Sequence, residues 1–188
     1  MRDMGPHASP TGRRSELSRT NDMRARSLVA FTLLAQMGVG AYWTLGVLFV
    51  WSWCQAGPAV SHQLTAFGWP AIGLIMVISI LASLFHLGSP TNAWRAFDNL
   101  RRSWLSREIL FATLFAGGSM LLAAMQLLGF GMLAGRGILG LTIGIVGLVL
   151  IGAMGNTYRL RTVPAWNSWA TLASFFATTF LLGALAVG

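Results

Sequence analysis

Two ionisable residues in this chain stand where a charge is costly. His86 ends one apolar run in Phe85-His86-Leu87-Gly88-Ser89-Pro90, and Glu108 opens the next in Ser103-Trp104-Leu105-Ser106-Arg107-Glu108-Ile109. A charge at a bilayer centre costs at least ~2.5–3.5 kcal/mol, so ionisable groups at the membrane boundary are informative. A neutral imidazole and a carboxylate both accept protons. At the edge of an apolar bundle they suit the removal of two protons from a lipid-soluble hydroquinone whose electrons leave elsewhere. Arg107, beside Glu108, supplies a counter-charge. A plainer reading stands next to this one: a carboxylate in a first helical turn favours the macrodipole, Ser106 is a suitable N-cap, and a terminal histidine is often interfacial. The residues alone leave both open.

Other redox equipment is missing from the chain. Cys54 is the single cysteine, which excludes an internal disulfide and an iron–sulfur cluster held by this chain's own thiolates. A bis-histidine haem fails on spacing, because His62 and His86 lie at opposite ends of one apolar run, roughly 36 Å apart on a helix, and His7 lies far from either. Neither haem nor cluster is therefore expected. Gly-rich phosphate loop, HExxH and nucleophile–base set are all absent from the sequence. Electrons passing through this chain must be taken by another subunit or a soluble cofactor.

The elements that carry His86 and Glu108 follow from composition. Of 188 residues, 55% are hydrophobic and 10% charged, with a mean hydropathy of +0.64, which excludes an ordinary soluble domain. Apolar stretches cover about 28–53, 64–86, 108–131, 137–155 and 169–187, without an internal charge. Each is near or above the ~20 residues a helix needs to cross a bilayer. Closed barrels would show alternating segments of ~10 residues, and there are none. The expected fold class is all-α, a polytopic membrane helical bundle of about five transmembrane helices. Residues 1–26, rich in Arg, Ser, Thr and Pro, read as a disordered basic tail, and 27–188 as the transmembrane domain. Arg13-Arg14 is a poor twin-arginine export signal, since the apolar run begins some dozen residues later and is long enough to span. Met23 is an alternative start.

Small residues let helix backbones approach in lipid, so Gly140 and Gly144, with Gly137, Gly147, Gly152 and Gly155, are read as a packing stripe on the fourth span. Trp51, Trp53 and Trp69 around the first loop, and Trp166 and Trp169 before the fifth span, read as interfacial belts. All thirteen basic side chains are arginine. With helices alternating, the tail, the 87–107 loop and the 156–168 loop share one face and hold twelve of them, leaving Arg136 on the other. The basic balance is thus topological and does not indicate nucleic acid. By the positive-inside rule the N-terminus and both long loops face the cytoplasm.

The His86-to-Pro90 and Ser103-to-Ile109 motifs resemble the signature of the membrane anchor subunit family of bacterial dimethyl sulfoxide reductase. Tyr158-Arg159-Leu160-Arg161-Thr162-Val163-Pro164-Ala165-Trp166-Asn167 resembles that family's block before its fifth span, and Phe31-Thr32-Leu33-Leu34-Ala35-Gln36 its first span. The resemblance runs over about residues 27 to 185. It implies a multi-pass subunit of the bacterial inner membrane that oxidises menaquinol. Such a subunit anchors a molybdopterin catalytic subunit and an iron–sulfur electron-transfer subunit. It places the quinol-site histidine and glutamate on His86 and Glu108, and makes Arg95, Arg101, Arg102 and Arg107 candidate contacts to the iron–sulfur partner, with plain topology signals as the alternative. Two departures accompany it. The family has eight spans where five are read here, so the chain looks short of the last ones, and the best-known members place the quinol site on the periplasmic face, opposite to the arginine count. Two further readings remain: a small proton-coupled transporter or assembly protein with His86 and Glu108 as a relay, and a bundle in which both are interfacial decoration.

Overall fold

The computed structural model describes residues 10–84, 99–159 and 166–188. Every regular element among them is a helix: α1 (Pro10–Ala56), α2 (Pro58–Thr65), α3 (Gly68–Leu84), α4 (Trp104–Leu127), α5 (Leu133–Tyr158) and α6 (Trp169–Val187). Five segments are long and apolar enough to cross a membrane: Ala25–Ala56, Pro58–Ser83, Trp104–Leu127, Ala134–Tyr158 and Trp169–Val187. The expected all-α, five-span bundle is therefore the architecture found.

Three boundaries differ from the sequence reading. Residues 10–26 are helical, continuous with the first span, where composition suggested a disordered tail. Helix formation is costly to nucleate and inexpensive to propagate. A span already fixed by the bilayer extends through Arg, Glu, Leu and Met, and Pro10 occupies a first position where its missing N–H is no loss. The second span is broken in two. Gly57, at φ 86° and ψ 177°, turns the chain after α1, and Pro58 starts α2. That region of φ/ψ is essentially reserved for glycine and costs other residues on the order of 1–3 kcal/mol. A Cβ at Gly57 would touch nothing within 4 Å, so Gly57→Ala is expected to lower thermal stability in detergent by that backbone cost alone.

The third difference concerns α4, which starts at Trp104 with Ser103, rather than Ser106, as its N-cap. The Ser103 hydroxyl accepts the Ser106 N–H at 3.3 Å. Glu108 is thereby moved out of the first turn into the second, where the macrodipole argument loses force.

α1 is the central helix and packs against α6, α3, α2 and α5, its interface with α6 being the largest in the bundle. Ala35, Val39, Met76, Phe115, Leu150, Ile151 and Met154 form the fully buried centre. The closest backbone approach lies outside the glycine stripe of α5, at Gly40 of α1 and Gly183 of α6, where each glycine's missing Cβ would fall on the other helix's main chain. The α5 stripe packs unevenly. Cβ atoms at Gly144 and Gly147 would lie 3.0 Å from Trp43 and 2.8 Å from Phe115, whereas those at Gly137 and Gly152 would meet nothing within 4 Å. The uncovered carbonyls of this stripe are used instead: Tyr42 Oη donates to Gly140 O at 2.7 Å and Trp43 Nε1 to Gly144 O at 3.1 Å.

The tryptophans divide. Trp51, Trp166 and Trp169 are exposed as a belt requires, but Trp69 is 7% exposed and its ring lies 4.8 Å from that of Tyr42, so it belongs to the core. Its position one residue into α3, after the break at Ala66 and Phe67, turns it inward.

Candidate functional site

Antiparallel crossing brings the start of the spanning part of α1 (Ala25–Ala56), the end of α3, the start of α4, the end of α5 and the start of α6 to one end of the bundle. Contacts fix this. Ser79 Oγ donates to Phe31 O at 3.1 Å, and the Thr32 and Tyr158 hydroxyls lie 3.2 Å apart. Glu108 sits at this end, one turn inside α4, and is 2% exposed. Its Oε2 accepts a hydrogen bond from Thr157 Oγ1 of α5 at 3.0 Å, and Thr157 Oγ1 is also 3.0 Å from Ala153 O. A buried carboxyl group must be hydrogen-bonded or it destabilises the fold, and the second-turn position aims Glu108 at α5 rather than at the interface. The sequence reading did not single out Thr157, the hydrogen-bond partner of Glu108.

Arg107 does not pair with Glu108. Its Nε donates to Leu100 O at 2.9 Å and its Nη2 to Arg101 O at 3.0 Å, and the guanidinium lies over the Trp104 ring at 4.3 Å. Successive helix residues point about 100° apart, so the neighbour of an inward Glu108 faces the loop, and Arg107 fastens residues 99–104 onto α4. Arg101 and Arg102 are exposed at the same end. Arg159 reaches the Asn156 side chain at 3.3 Å and lies 5.3 Å from the Trp169 ring. His86 and Arg95 lie outside the described residues, and with them the expected juxtaposition of His86 and Glu108.

The opposite end of the bundle holds a cavity of about 690 Å³, walled by α1, α2, α3, α4 and α5. Tyr42, Trp43 and Trp69 line it, with Gly140 and Gly144 as a flat side, and His62, Gln126 and Arg136 stand around it. α2 is held there by hydroxyls: Ser52 Oγ donates to Ser61 Oγ at 3.1 Å, and Gln126 Nε2 donates to His62 O at 3.3 Å and Thr65 Oγ1 at 3.4 Å. Glu108 and Gln126 are eighteen residues apart on α4, roughly 27 Å along the axis, so carboxylate and cavity belong to opposite membrane faces. The sequence reading had marked this second locality only as a tryptophan belt at the first loop, a glycine packing stripe and the single arginine of the opposite face.

Comparison with known proteins agrees with this architecture. Residues 20–188 match the DMSO reductase anchor subunit (DmsC) family. The sequence is 31% identical over 157 residues to the anaerobic dimethyl sulfoxide reductase chain YnfH of Escherichia coli (strain K12), with 83% of this protein and 54% of that one covered. It is 27% identical over 159 residues to an anaerobic dimethyl sulfoxide reductase chain of Haemophilus influenzae, again with 83% and 54% covered. Over 86 residues it is 36% identical to a sulfite dehydrogenase subunit of Allochromatium vinosum, 46% of this protein and 26% of that one. No solved structure matches. The chain spans about half the length of the anaerobic dimethyl sulfoxide reductase chains it matches. With five spanning segments and a match over most of its length, this multi-pass membrane protein belongs to the DMSO reductase anchor subunit family.

Proposed function

We propose that this chain works as the quinol-oxidising anchor of a dimethyl sulfoxide reductase-like molybdoenzyme complex in the bacterial inner membrane. The observation that carries the reading is Glu108: a carboxyl group 2% exposed, one turn inside a membrane helix, with a single hydroxyl donor from the neighbouring helix. Burial of that kind is expensive and rarely ornamental. Menaquinol, the substrate, gives up two protons and two electrons. Glu108 and His86 each take one proton, and both electrons pass to clusters on an iron–sulfur subunit and from there to a molybdopterin catalytic subunit. The family match and the quoted motifs support these partners. The exposed Arg101 and Arg102 would meet such a subunit, a role the family resemblance also gives to Arg95, and Arg107 holds residues 99–104 in shape through the Leu100 and Arg101 carbonyls. The arginine-rich end is cytoplasmic on this reading. A reporter fusion after residue 97 is expected to leave alkaline phosphatase inactive, and an active fusion would place this end outside.

The proposal is tested at Thr157. Thr157→Val keeps the shape and removes the hydrogen-bond donor to a charged acceptor, an interaction of about 1.5–3 kcal/mol. Oxidation of a reduced naphthoquinone by membranes carrying the complete complex is expected to fall roughly tenfold or more, while Thr157→Ser restores it. Equal rates in Thr157→Val and the parent would show that the Thr157 hydrogen bond takes no part in the reaction and overturn the site as described.

A further inference from the structure

We propose that the cavity at the far end from Glu108 is a second binding site for a quinone-class ring, a flat lipid-soluble ring with oxygens at opposite edges. The proposal adds a site to the reading above and does not depend on the chemistry at Glu108. Three features select this ligand class. The first is lining and size: Tyr42, Trp43, Phe49, Trp51 and Trp69 bring five aromatic side chains to one cavity of about 690 Å³, a volume in the range of small-molecule sites. Aromatic side chains gathered in this way suit a planar ring, which stacks on indole and phenol faces. The second is the disposition of polar groups. His62 and Gln126 come from α2 and the end of α4, and Arg136 from the first turn of α5, so donors and an acceptor lie around a greasy interior, able to meet the oxygens of one ring.

The third feature is that His62 and Arg136 keep hydrogen-bonding capacity to spare, while Gln126, whose Nε2 donates to His62 O and Thr65 Oγ1, keeps its side-chain oxygen as an acceptor. The His62 ring stands edge-on to Phe49 and Trp53, with centroids 5.5 and 6.1 Å away. Its anchoring to Gln126 runs through the backbone carbonyl, and among the described residues neither imidazole nitrogen has a hydrogen-bond partner. Arg136 is turned by bonds from Nε and Nη2 to Gly131 O, both 3.2 Å, which leaves its remaining N–H groups for a ligand. An acyl chain would use the greasy walls but none of these.

The experiment uses the purified full chain in detergent, with 2-methyl-1,4-naphthoquinone titrated against tryptophan fluorescence, since Trp43 and Trp69 line the cavity. Gly137→Phe and Gly46→Leu fill the cavity from positions where a Cβ meets nothing within 4 Å, and His62→Leu removes the imidazole while keeping the carbonyl that Gln126 uses. Each is expected to weaken the quenching phase at least tenfold, with unchanged helical circular dichroism. Glu108→Gln is expected to leave that phase intact. Quenching unaffected by the filling variants overturns the proposal, as does displacement of the probe by micelles containing phosphatidylglycerol, which would make the cavity a lipid site. Loss of binding in Glu108→Gln alone would also overturn it and leave the Glu108 reading standing; the reverse pattern, cavity binding with normal turnover in Glu108→Gln, would sink the latter only.

Discussion

Replacing Glu108 by Gln is expected to lower quinol-dependent turnover by about a hundredfold or more, the usual range for loss of a positioned proton acceptor. The amide matches the carboxylate in size and can still accept the Thr157 hydrogen bond, so the helix pair α4 and α5 should stay closed and the subunit should still assemble. What disappears is the capacity to take a proton inside a protein-enclosed, apolar setting. The measurement is oxidation of a reduced naphthoquinone by membranes carrying the whole complex, with partner content checked by co-purification. A rate within threefold of the parent, with normal assembly, would reduce Glu108 to a packing residue.

The largest structural effect is expected at Gly183. Any side chain there runs into the Gly40 and Ala41 backbone of α1, and main chain, unlike a methionine tip, has no rotamer by which to yield. Overpacking typically costs about 1–3 kcal/mol, occasionally more. Gly183→Leu should fall at the top of that range or beyond it, because Gly183 sits at the closest point of the α1–α6 interface, the largest in the bundle, and forcing the two backbones apart loosens all of it. Thermal unfolding in detergent is the readout. Gly152→Ala, at a helical glycine with nothing within 4 Å, is the control: it should be neutral or slightly stabilising, since alanine exceeds glycine in helix interiors by roughly 0.5–1 kcal/mol. Equal loss in both variants would refute the close α1–α6 approach.

Much of this architecture is legible from residue types, because the bilayer imposes one rule: spans of about twenty apolar residues with internally satisfied backbones. The five spans, the inward polar position at Glu108 and the gathering of arginines at one end follow from it. Boundaries did not follow. Ser103 and Ser106 are equally good caps on paper, and only the loop carbonyls bound by Arg107 decide between them. Gly137, Gly140 and Gly144 looked like one packing stripe, yet all three line a cavity, and Gly140 and Gly144 also accept hydrogen bonds from Tyr42 and Trp43 on another helix. Thr157 was invisible as a partner of Glu108 because 49 residues separate them and no local pattern joins the two. The tightest contact, Gly40 to Gly183, pairs the first and last spans, which periodicity cannot connect.

Thr157 has one hydroxyl hydrogen and two oxygens within 3.0 Å, Glu108 Oε2 and Ala153 O. It cannot serve both at full strength. An ionised Glu108 draws the hydrogen across to α4. A carboxylic acid, holding its own hydrogen, can donate back to the threonine oxygen and release the rotor toward Ala153. Each proton that arrives or departs therefore swings a single O–H between two helices, and the amide stretch of Ala153 should register the carboxyl group's state from the adjoining strut of the bundle.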